Sequence, residues 1–439
     1  MFLVTIPYKF KLPDTVAPKG SLLLASALPK HELQRRPFER KHPHLANRFF
    51  DPQLYLAELE PARAAKHCAN LASYPWFGVA GLRDYSSAEQ RQTEWRRESK
   101  AKIGQLWPGR AADTTAEIRA AVNACVQFQV ELSVQAILLP SPLTRDPASD
   151  YSREAMWLDA GIQAARSLAP GIPVFATIAV SDVCLQVAPA PANPLVGTIL
   201  DSVGAREVDG AYIVVEQAME DTFGRHCATV ATLRPVLEMV HLLATDCSLR
   251  VGVGFLGAFG LACLAAGAEF WSSGWYKSLY RLRLADSIAG GRAFPHYWST
   301  AASADISLAG EFDLLAKAGR LGEIEDSTVA AEPLLRAARA GISSDQVPAW
   351  AYRQGNISAA EEHFLLAVQA ATEELMGLAP GYPRVEFVEA WLRSAERIAA
   401  DATAEIDASL PKGKERKTRT EHVSAWRSAV ESYRRDHHS

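Results

Sequence analysis

One stretch of the sequence contains the signals for two strands and a helix within fewer than forty residues. Its apolar runs predict strands over Leu249–Phe255 and Glu269–Ser273, and the Gly/Ala-rich segment between them, Gly257–Ala266, predicts a short helix. A strand, helix and strand of this length form the shortest crossover that joins adjacent parallel strands. The stretch therefore favours an α/β fold built on a parallel sheet.

The alternation of strands and helices extends towards the start of the chain. Further apolar runs predict the strands Phe2–Ile6, Ser21–Ser26, Trp76–Leu82, Ala136–Pro140, Val174–Val180 and Asp209–Val215. Helical periodicity predicts Thr114–Glu131, Tyr151–Leu168 and Ala228–Ala244, and Asp51-Pro52 is a typical helix start. Seven to eight strands alternating with helices predict a (β/α)8 barrel over residues 1–295. The alternative is a doubly wound open sheet, although no GxGxxG turn follows an early strand.

The chain changes character after about residue 290. Helical periodicity predicts helices with no strand between them: Leu308–Gly319, Ala330–Ala340, Ser358–Leu378, Val385–Ser409 and Glu421–Arg435. We therefore expect a second region over residues 296–439 that is helical and ends in a basic tail. Its helices offer faces on which a protein partner can dock.

Composition limits the class of protein. With 48% hydrophobic residues, 22% charged residues and a formal net charge of −4 over 439 residues, the chain has a globular profile and is not basic throughout. No apolar run reaches the roughly 18 residues that cross a bilayer, and Pro7 and Lys9 interrupt the start. We therefore expect a cytoplasmic protein with no membrane segment. The six Cys are far apart without a CxxC pair, so we expect buried reduced thiols and no metal site. We also predict no cofactor.

Two segments are locally basic. Residues 30–48 hold six Lys and Arg against two Glu, and the tail from residue 410 holds eight against four acids, with Trp426 and Tyr433 interleaved. Cations beside aromatic rings are typical of nucleic-acid contacts. The candidate contact residues are Arg35, Arg36, Arg40, Lys41, Lys414, Arg416 and Lys417. The alternative is a solvated loop and a frayed terminal helix.

Several polar residues follow the predicted strands. In a barrel the reactive groups sit at the carboxyl ends of the strands. Ser141 and Arg145 follow one strand and are candidates for substrate binding, while Asp182 and Glu216 follow the next two. Paired carboxylates in different environments can divide acid and base roles, which makes Asp182 and Glu216 the catalytic candidates. The alternative for Asp182 is that it caps the following helix.

A dense aromatic and basic turn follows the last predicted strand. It contains Trp275, Tyr276, Lys277 and Arg281, which suit stacking on a base or binding a phosphate. Gly252 and Gly254, on the preceding strand, let a ligand or backbone approach closely. We predict that these residues bind substrate. The alternative is packing against the helical region, with the charges extended into solvent.

Part of the chain resembles the tRNA-guanine transglycosylase family and its DNA-modifying relatives. The resemblance rests on VGVG (251–254), a short helix, GAEF (267–270) and the aromatic turn, which together look like the last segment of that family's barrel. DGAYIVVE (209–216) stands where the family has its Gly-rich base-binding strand, and residues 349–364 look like the segment that holds its zinc. The resemblance implies a barrel that modifies bases in nucleic acid.

The sequence also departs from that family. The zinc-binding cysteines would fall near Ala349, Ala351 and Gln354, and the nucleophilic Asp near Ser272. The first half lacks the stretch D-S-G-G-F. The resemblance therefore implies a diverged, zinc-free member without covalent base exchange.

Three functions follow from these patterns. The first is a nucleic-acid-associated barrel, binding tRNA or DNA and related to base-modifying enzymes. The second is a metabolic barrel enzyme that holds a phosphorylated small molecule or flavin at Gly254–Gly257 and Gly274. The third is a non-catalytic interaction subunit that docks a partner through its C-terminal helices. The sequence leaves open whether the protein is an enzyme.

Overall fold

The computed structural model describes residues 1–6, 15–16, 19–35, 47–79, 97, 101–189, 192–220, 224–286, 295–351 and 356–438. Three of the predicted nucleic-acid contacts, Arg36, Arg40 and Lys41, lie outside these residues.

Eight parallel strands form a nearly closed barrel. The strands are β1 (Phe2–Ile6), β2 (Ser21–Leu24), β3 (Arg48–Asp51), β4 (Ile137–Leu138), β5 (Val174–Ser181), β6 (Gly210–Glu216), β7 (Arg250–Gly254) and β8 (Phe270–Ser273). Strands that follow each other in the chain pair side by side except for β3 and β4, and β1 pairs with β8. At the seam between β3 and β4, the Gln135 N–H donates to the Arg48 carbonyl at 2.8 Å. The predicted barrel is confirmed, and the seam excludes an open sheet.

The third strand is not the one that the sequence predicts. It is Arg48–Asp51, whereas the predicted strand Trp76–Leu82 is wrong over its described residues. Pro75–Phe77 forms a 3₁₀ turn instead, because Pro75 fixes the backbone at its start and Gly78 ends it at a φ of 66°. The apolar side chains of this turn belong to the core.

Helices follow most of the strands. They are α1 (Lys30–Arg35), α2 (Pro61–Leu71), α3 (Thr115–Glu131), α4 (Ser152–Leu168), α5 (Asp182–Leu185), α6 (Pro194–Gly204), α7 (Val230–Thr245), α8 (Gly260–Ala265) and α9 (Lys277–Tyr280). Residues 101–106 are also helical. The predicted helix start at Asp51-Pro52 is wrong, because Asp51 ends β3 and α2 begins only at Pro61.

Aromatic rings fill the barrel interior. The Phe270 ring on β8 lies 4.9 Å from Phe49 on β3, 5.9 Å from Phe175 on β5 and 6.4 Å from Tyr212 on β6, centroid to centroid. A barrel of eight strands is just wide enough for its own side chains to fill it. A ligand-binding site of the barrel must therefore lie at the ends of the strands.

The second region is helical but also contains a hairpin. Its elements are β9 (His296–Ser299), β10 (Ala304–Ser307), α10 (Glu311–Lys317), α11 (Leu321–Ile324), α12 (Glu332–Arg339), α13 (Ser358–Met376), α14 (Tyr382–Ser409) and α15 (Glu421–His437). The strands β9 and β10, which pair antiparallel, precede the first of the predicted helices, in a stretch for which no element was predicted. Both strands are only four residues long, with Ser303 at a φ of 50° in the turn between them.

The helical region packs directly on the barrel. The Trp426 indole N–H, on α15, donates to the Cys227 carbonyl at 2.9 Å, and the ring is fully buried. Arg234 on α7 pairs with Asp436 on α15 at 2.7 Å. One hydrophobic core runs through both regions.

No helix among the described residues has the length and apolarity needed to cross a membrane. The six cysteines are all free thiols.

Candidate functional site

The carboxyl ends of the barrel strands bring predicted site residues to one face. Ser141 follows β4, Asp182 follows β5 and Glu216 ends β6. In a parallel barrel these ends share one rim. Ser141 is buried, and its hydroxyl donates to the adjacent Pro142 carbonyl, at 3.2 Å. Ser141 therefore lies on the predicted face without joining the charged groups there.

Arg145 binds Glu216 across the rim. Its Nη2 lies 2.6 Å from Oε1 and its Nε 2.9 Å from Oε2, while Nη1 lies 2.9 Å from Glu58 Oε2. Burial would lower the pKa of the Arg145 guanidinium, but the hydrogen bonds to Glu216 and the charges of both carboxylates raise it overall. The structure thus brings two of the predicted residues together as a charged pair with a planar, two-point geometry.

Asp182 holds the loop that follows β6. Its carboxylate accepts the N–H groups of Ala218 at 3.1 Å and Met219 at 2.9 Å, and the residue is fully buried. Burial raises the pKa of Asp182, helped by the charge of Glu216 and opposed by these two N–H groups. In this geometry Asp182 fixes the loop beside Glu216, and its predicted catalytic role stays a prediction.

Gly252 and Gly254 make room for barrel side chains. A Cβ on Gly252 would lie 2.0 Å from the Phe270 ring, and a Cβ on Gly254 would lie 2.2 Å from the Tyr212 hydroxyl. Both distances are far below van der Waals contact, so the space beside each glycine is already filled. The observed close approach is made by the rings of the core.

The segment over residues 275–286, here called the strap, folds back over the barrel rim. The Gln217 N–H at the end of β6 donates to the Leu282 carbonyl at 2.8 Å, and Arg281 forms a bridge with Leu256 beyond β7. Trp275 is buried, and the half-buried Tyr276 ring lies 5.4 Å from it. The strap therefore covers the carboxyl ends of two strands.

The cations of the strap converge on one carboxylate. Lys277, Arg281 and Arg283 lie 3.2, 2.8 and 2.8 Å from Asp286. Burial would raise the pKa of Asp286, but the hydrogen bonds from Arg281 and Arg283 lower it overall. Burial lowers the pKa of Lys277, and neighbouring Arg281 adds to this effect. Two of the predicted binding residues, Lys277 and Arg281, thus belong to one charge cluster at the rim.

The basic tail packs against α10 and the hairpin, where the Lys417 N–H donates to Glu311 and the Ser307 N–H donates to the Thr418 hydroxyl. Arg416 is bound between Asp407 and Glu421 at 3.2 and 3.1 Å, whereas Lys414 and Lys417 are exposed. The Lys417 charge is close enough to help lower the pKa of His296, which burial and Arg225 bring to about 4. Arg35, another predicted contact, lies on α1.

One buried acid on the rim was missed in the sequence. Asp51, at the end of β3, accepts the Tyr55 hydroxyl at 2.6 Å and the Gln53 N–H at 2.9 Å, and the Tyr212 hydroxyl lies 3.4 Å away. Burial raises the pKa of Asp51 to about 7. A carboxyl poised near neutrality can give or take a proton. The sequence contains no clear signal for this acid, because β3 is only RFFD and the following Asp51-Pro52 is also typical of a helix start.

A second missed group lies where the barrel meets the helical region. Asp305 on β10 lies 3.0 Å from Arg225 Nε, 3.1 Å from His226 Nε2 and 3.4 Å from the Tyr280 hydroxyl. Burial would raise the pKa of Asp305, but Arg225 and His226 hold it well below its usual range. Burial lowers the pKa of His226, opposed by Asp305. No sequence motif indicates this group, because its members are far apart in the chain.

The structure therefore defines a (β/α)8-barrel protein whose polar rim is joined by a hairpin from a C-terminal helical region. Among the described residues no cluster of three or more His, Cys, Asp or Glu could hold a metal ion. No protein-family model matches the chain, and no curated protein is significantly similar to it.

Proposed function

We propose that the protein binds nucleic acid at the carboxyl rim of its barrel and acts on a base presented there. The observation that carries the proposal is the position of the strap, which places the charge cluster of Lys277, Arg283 and the buried Arg281 at the ends of β6 and β7. Phosphate contacts are made mainly by Lys and Arg, and stacking by aromatic rings such as Tyr276.

The basic tail supports the same proposal. Lys417 lies close enough to affect His296, and Arg281 close enough to affect His226, while His226 also affects His296. Charges of two separate segments, the strap and the tail, thus act on neighbouring histidines. Each phosphate that a protein cation neutralises adds to the affinity for nucleic acid.

The acids of the rim supply the chemistry in this proposal. Asp51, with a pKa of about 7, can exchange a proton near neutral pH. Glu216 is buried and held by Arg145, so its carboxylate has a fixed orientation. A base modification that passes through a charged intermediate would use Glu216 as a fixed negative charge.

The test is a fluorescence-anisotropy titration of the full chain with labelled tRNA, duplex DNA and single-stranded DNA at about 50 and about 200 mM salt. We expect affinity that falls steeply with salt. The variants Lys277→Gln and Lys414→Gln/Lys417→Gln should each weaken binding. Each should also reduce the slope of log K against log salt by about one for every phosphate that the variant no longer neutralises.

The matched control is Arg166→Gln. Arg166 is an exposed cation near the start of β5, at the opposite end of the barrel, where it pairs with Glu207. This variant should bind like the unmodified chain. Binding that is independent of salt, or weakened equally by Arg166→Gln, would contradict the proposal.

The same purified chain also distinguishes the metabolic alternative from nucleic-acid binding. A phosphorylated small molecule or flavin at the glycines would need space there. A Cβ on Gly257 would lie 2.9 Å from Tyr280, and one on Gly274 would lie 2.4 Å from Leu279. These contacts do not favour that site. If the chain binds a phosphorylated sugar or flavin and none of the nucleic acids, the result would favour the metabolic alternative.

A further inference from the structure

We propose that His226, positioned by Asp305, is a proton acceptor at the barrel rim for a substrate group that carries a weakly acidic N–H or O–H. The inference goes beyond nucleic-acid binding, and its two central residues, His226 and Asp305, belong neither to the strap nor to the basic tail. It rests on the geometry of one ring nitrogen, Nδ1, and of the backbone that faces it.

The Asp305 contact assigns the proton on the ring. His226 Nε2 lies 3.1 Å from Asp305 Oδ2, and a carboxylate can only accept a hydrogen bond. Asp305 stays ionised because Arg225 Nε and the Tyr280 hydroxyl lie at 3.0 and 3.4 Å. Nε2 therefore carries the proton, and Nδ1 of the neutral ring presents its lone pair.

Nδ1 has no hydrogen-bond partner within the described part of the chain, although the residue is only 5% exposed. Buried polar atoms in native proteins are nearly always paired, so an unpaired one indicates a missing ligand or a reactive role. The neighbouring ring provides a contrast. His422 stacks on His226 at 4.3 Å, and its Nε2 donates to the Ser303 carbonyl at 2.8 Å.

The backbone beyond β7 passes close to Nδ1 without covering it. A Cβ on Gly257 would lie 3.0 Å from this nitrogen and 2.9 Å from the Tyr280 ring, so only a residue without a side chain leaves Nδ1 uncovered. Gly257 has a φ of 55°, and Phe255, two residues earlier, has a φ of 60°. A left-handed conformation is unfavourable for a bulky residue such as Phe and is concentrated at functional sites.

The proposed step is a simple proton transfer. The substrate N–H or O–H bond breaks, its electron pair stays on the substrate heteroatom, and the proton forms a new bond with His226 Nδ1. The resulting imidazolium is stabilised by the Asp305 carboxylate on its other side, which is the arrangement of a base held by an acidic partner. The proton returns to the product or to water in the reverse sense.

The first measurement is the ring tautomer in the full chain labelled with ¹⁵N-histidine. The His226 signals are those that disappear in a His226→Gln variant. We expect a neutral ring with a protonated Nε2 and the shift of an unprotonated Nδ1. A proton on Nδ1 would overturn the proposal.

The second measurement is chemical modification by diethylpyrocarbonate, which acylates an accessible unprotonated ring nitrogen, mapped by mass spectrometry. We expect modification of His226 and protection of His422. Gly257→Ala, which places a methyl group against Nδ1, should abolish the modification, whereas Gly322→Ala, with no described atom within 4 Å of its Cβ, should not. An unmodified His226, or equal modification in Gly257→Ala, would overturn the proposal.

Asp305→Asn tests the positioning residue separately. An Asn side chain is similar in shape but no longer fixes the proton on Nε2, because it offers both a donor and an acceptor. We expect the ring of this variant to lose its single tautomer while the other histidine signals stay in place. An unchanged His226 tautomer would show that Asp305 does not position the ring. Neither measurement uses nucleic acid, so failure here is distinguishable from failure of the binding proposal.

Discussion

The Arg145 guanidinium binds both oxygens of the Glu216 carboxylate, with Nη2–Oε1 and Nε–Oε2 distances of 2.6 and 2.9 Å. The two partners differ in exposure, since the Glu216 side chain is 2% exposed and that of Arg145 is 41% exposed. The pair therefore places a buried negative charge under a cation that solvent can reach.

Removal of Arg145 should destabilise the protein by leaving Glu216 buried without its main partner. For Arg145→Met we expect a loss of about 1–3 kcal/mol in the free energy of unfolding, reduced from the fully buried case by the exposure of Arg145. Urea denaturation measures this change in the free energy of unfolding. The double variant Arg145→Met/Glu216→Gln should recover part of the loss. The control Arg166→Met, in an exposed pair with Glu207, should change stability by less than about 1 kcal/mol.

Asp51 should make the protein less stable as pH rises. Its pKa is about 7 in the fold against an ordinary value of 3.8, so the folded state binds the proton more tightly. The stabilising contribution is present below the lower value and is lost as pH rises through the higher one. Asp51→Asn should therefore be more stable than the unmodified chain at about pH 8, and this advantage should be smaller at about pH 5. Thermal unfolding at both pH values tests this, and an Asn variant that is less stable at the higher pH would contradict it.

His363 should contribute the opposite pH dependence. It donates from Nε2 to the Trp298 carbonyl at 2.7 Å and lies 2.8 Å from the Thr328 hydroxyl, and burial lowers its pKa from 6.5 to about 4. The unfolded chain binds the proton more tightly, so stability is lost as pH falls from 6.5 to about 4. His363→Gln supplies an amide donor for the Trp298 carbonyl and removes the titration. Its unfolding free energy should fall less steeply over this range, and an identical slope would contradict the expectation.

Gly252→Ala should disturb the barrel interior. The added methyl group would lie 2.0 Å from the Phe270 ring, which is held by other rings and cannot retreat. We expect a loss of about 1–3 kcal/mol or more in the free energy of unfolding. Gly322→Ala, at an open helical position, should be neutral or slightly stabilising. Equal stability of the two variants would show that the interior is not closely packed.

The strands that were predictable are those with a continuous apolar run. β5, β6, β7 and β8 were each placed within a residue or two, because strands of a parallel sheet are buried on both faces. β3 is only RFFD, between a basic segment and Pro52, so neither length nor periodicity distinguished it. The hairpin strands β9 and β10 are equally short.

The site was predictable only where it depends on strand ends. That rule placed Arg145, Asp182 and Glu216 on one rim, but the two-point contact of Arg145 with Glu216 joins residues 71 positions apart. His226 and Asp305 are separated by 79 positions and belong to different regions of the chain. Their approach depends on how the helical region docks, for which the sequence contains no local signal.

The docking of α15 on α7 has a consequence for synthesis of the chain. Arg234 and Glu238 of α7 are buried against Asp436 and His437, which lie about two hundred positions later. While the ribosome is still translating the residues between them, the outer face of α7 remains uncovered. A nascent or prematurely terminated chain thus exposes apolar surface around these charges. Aggregation and proteolysis therefore compete with folding until α15 has been synthesised.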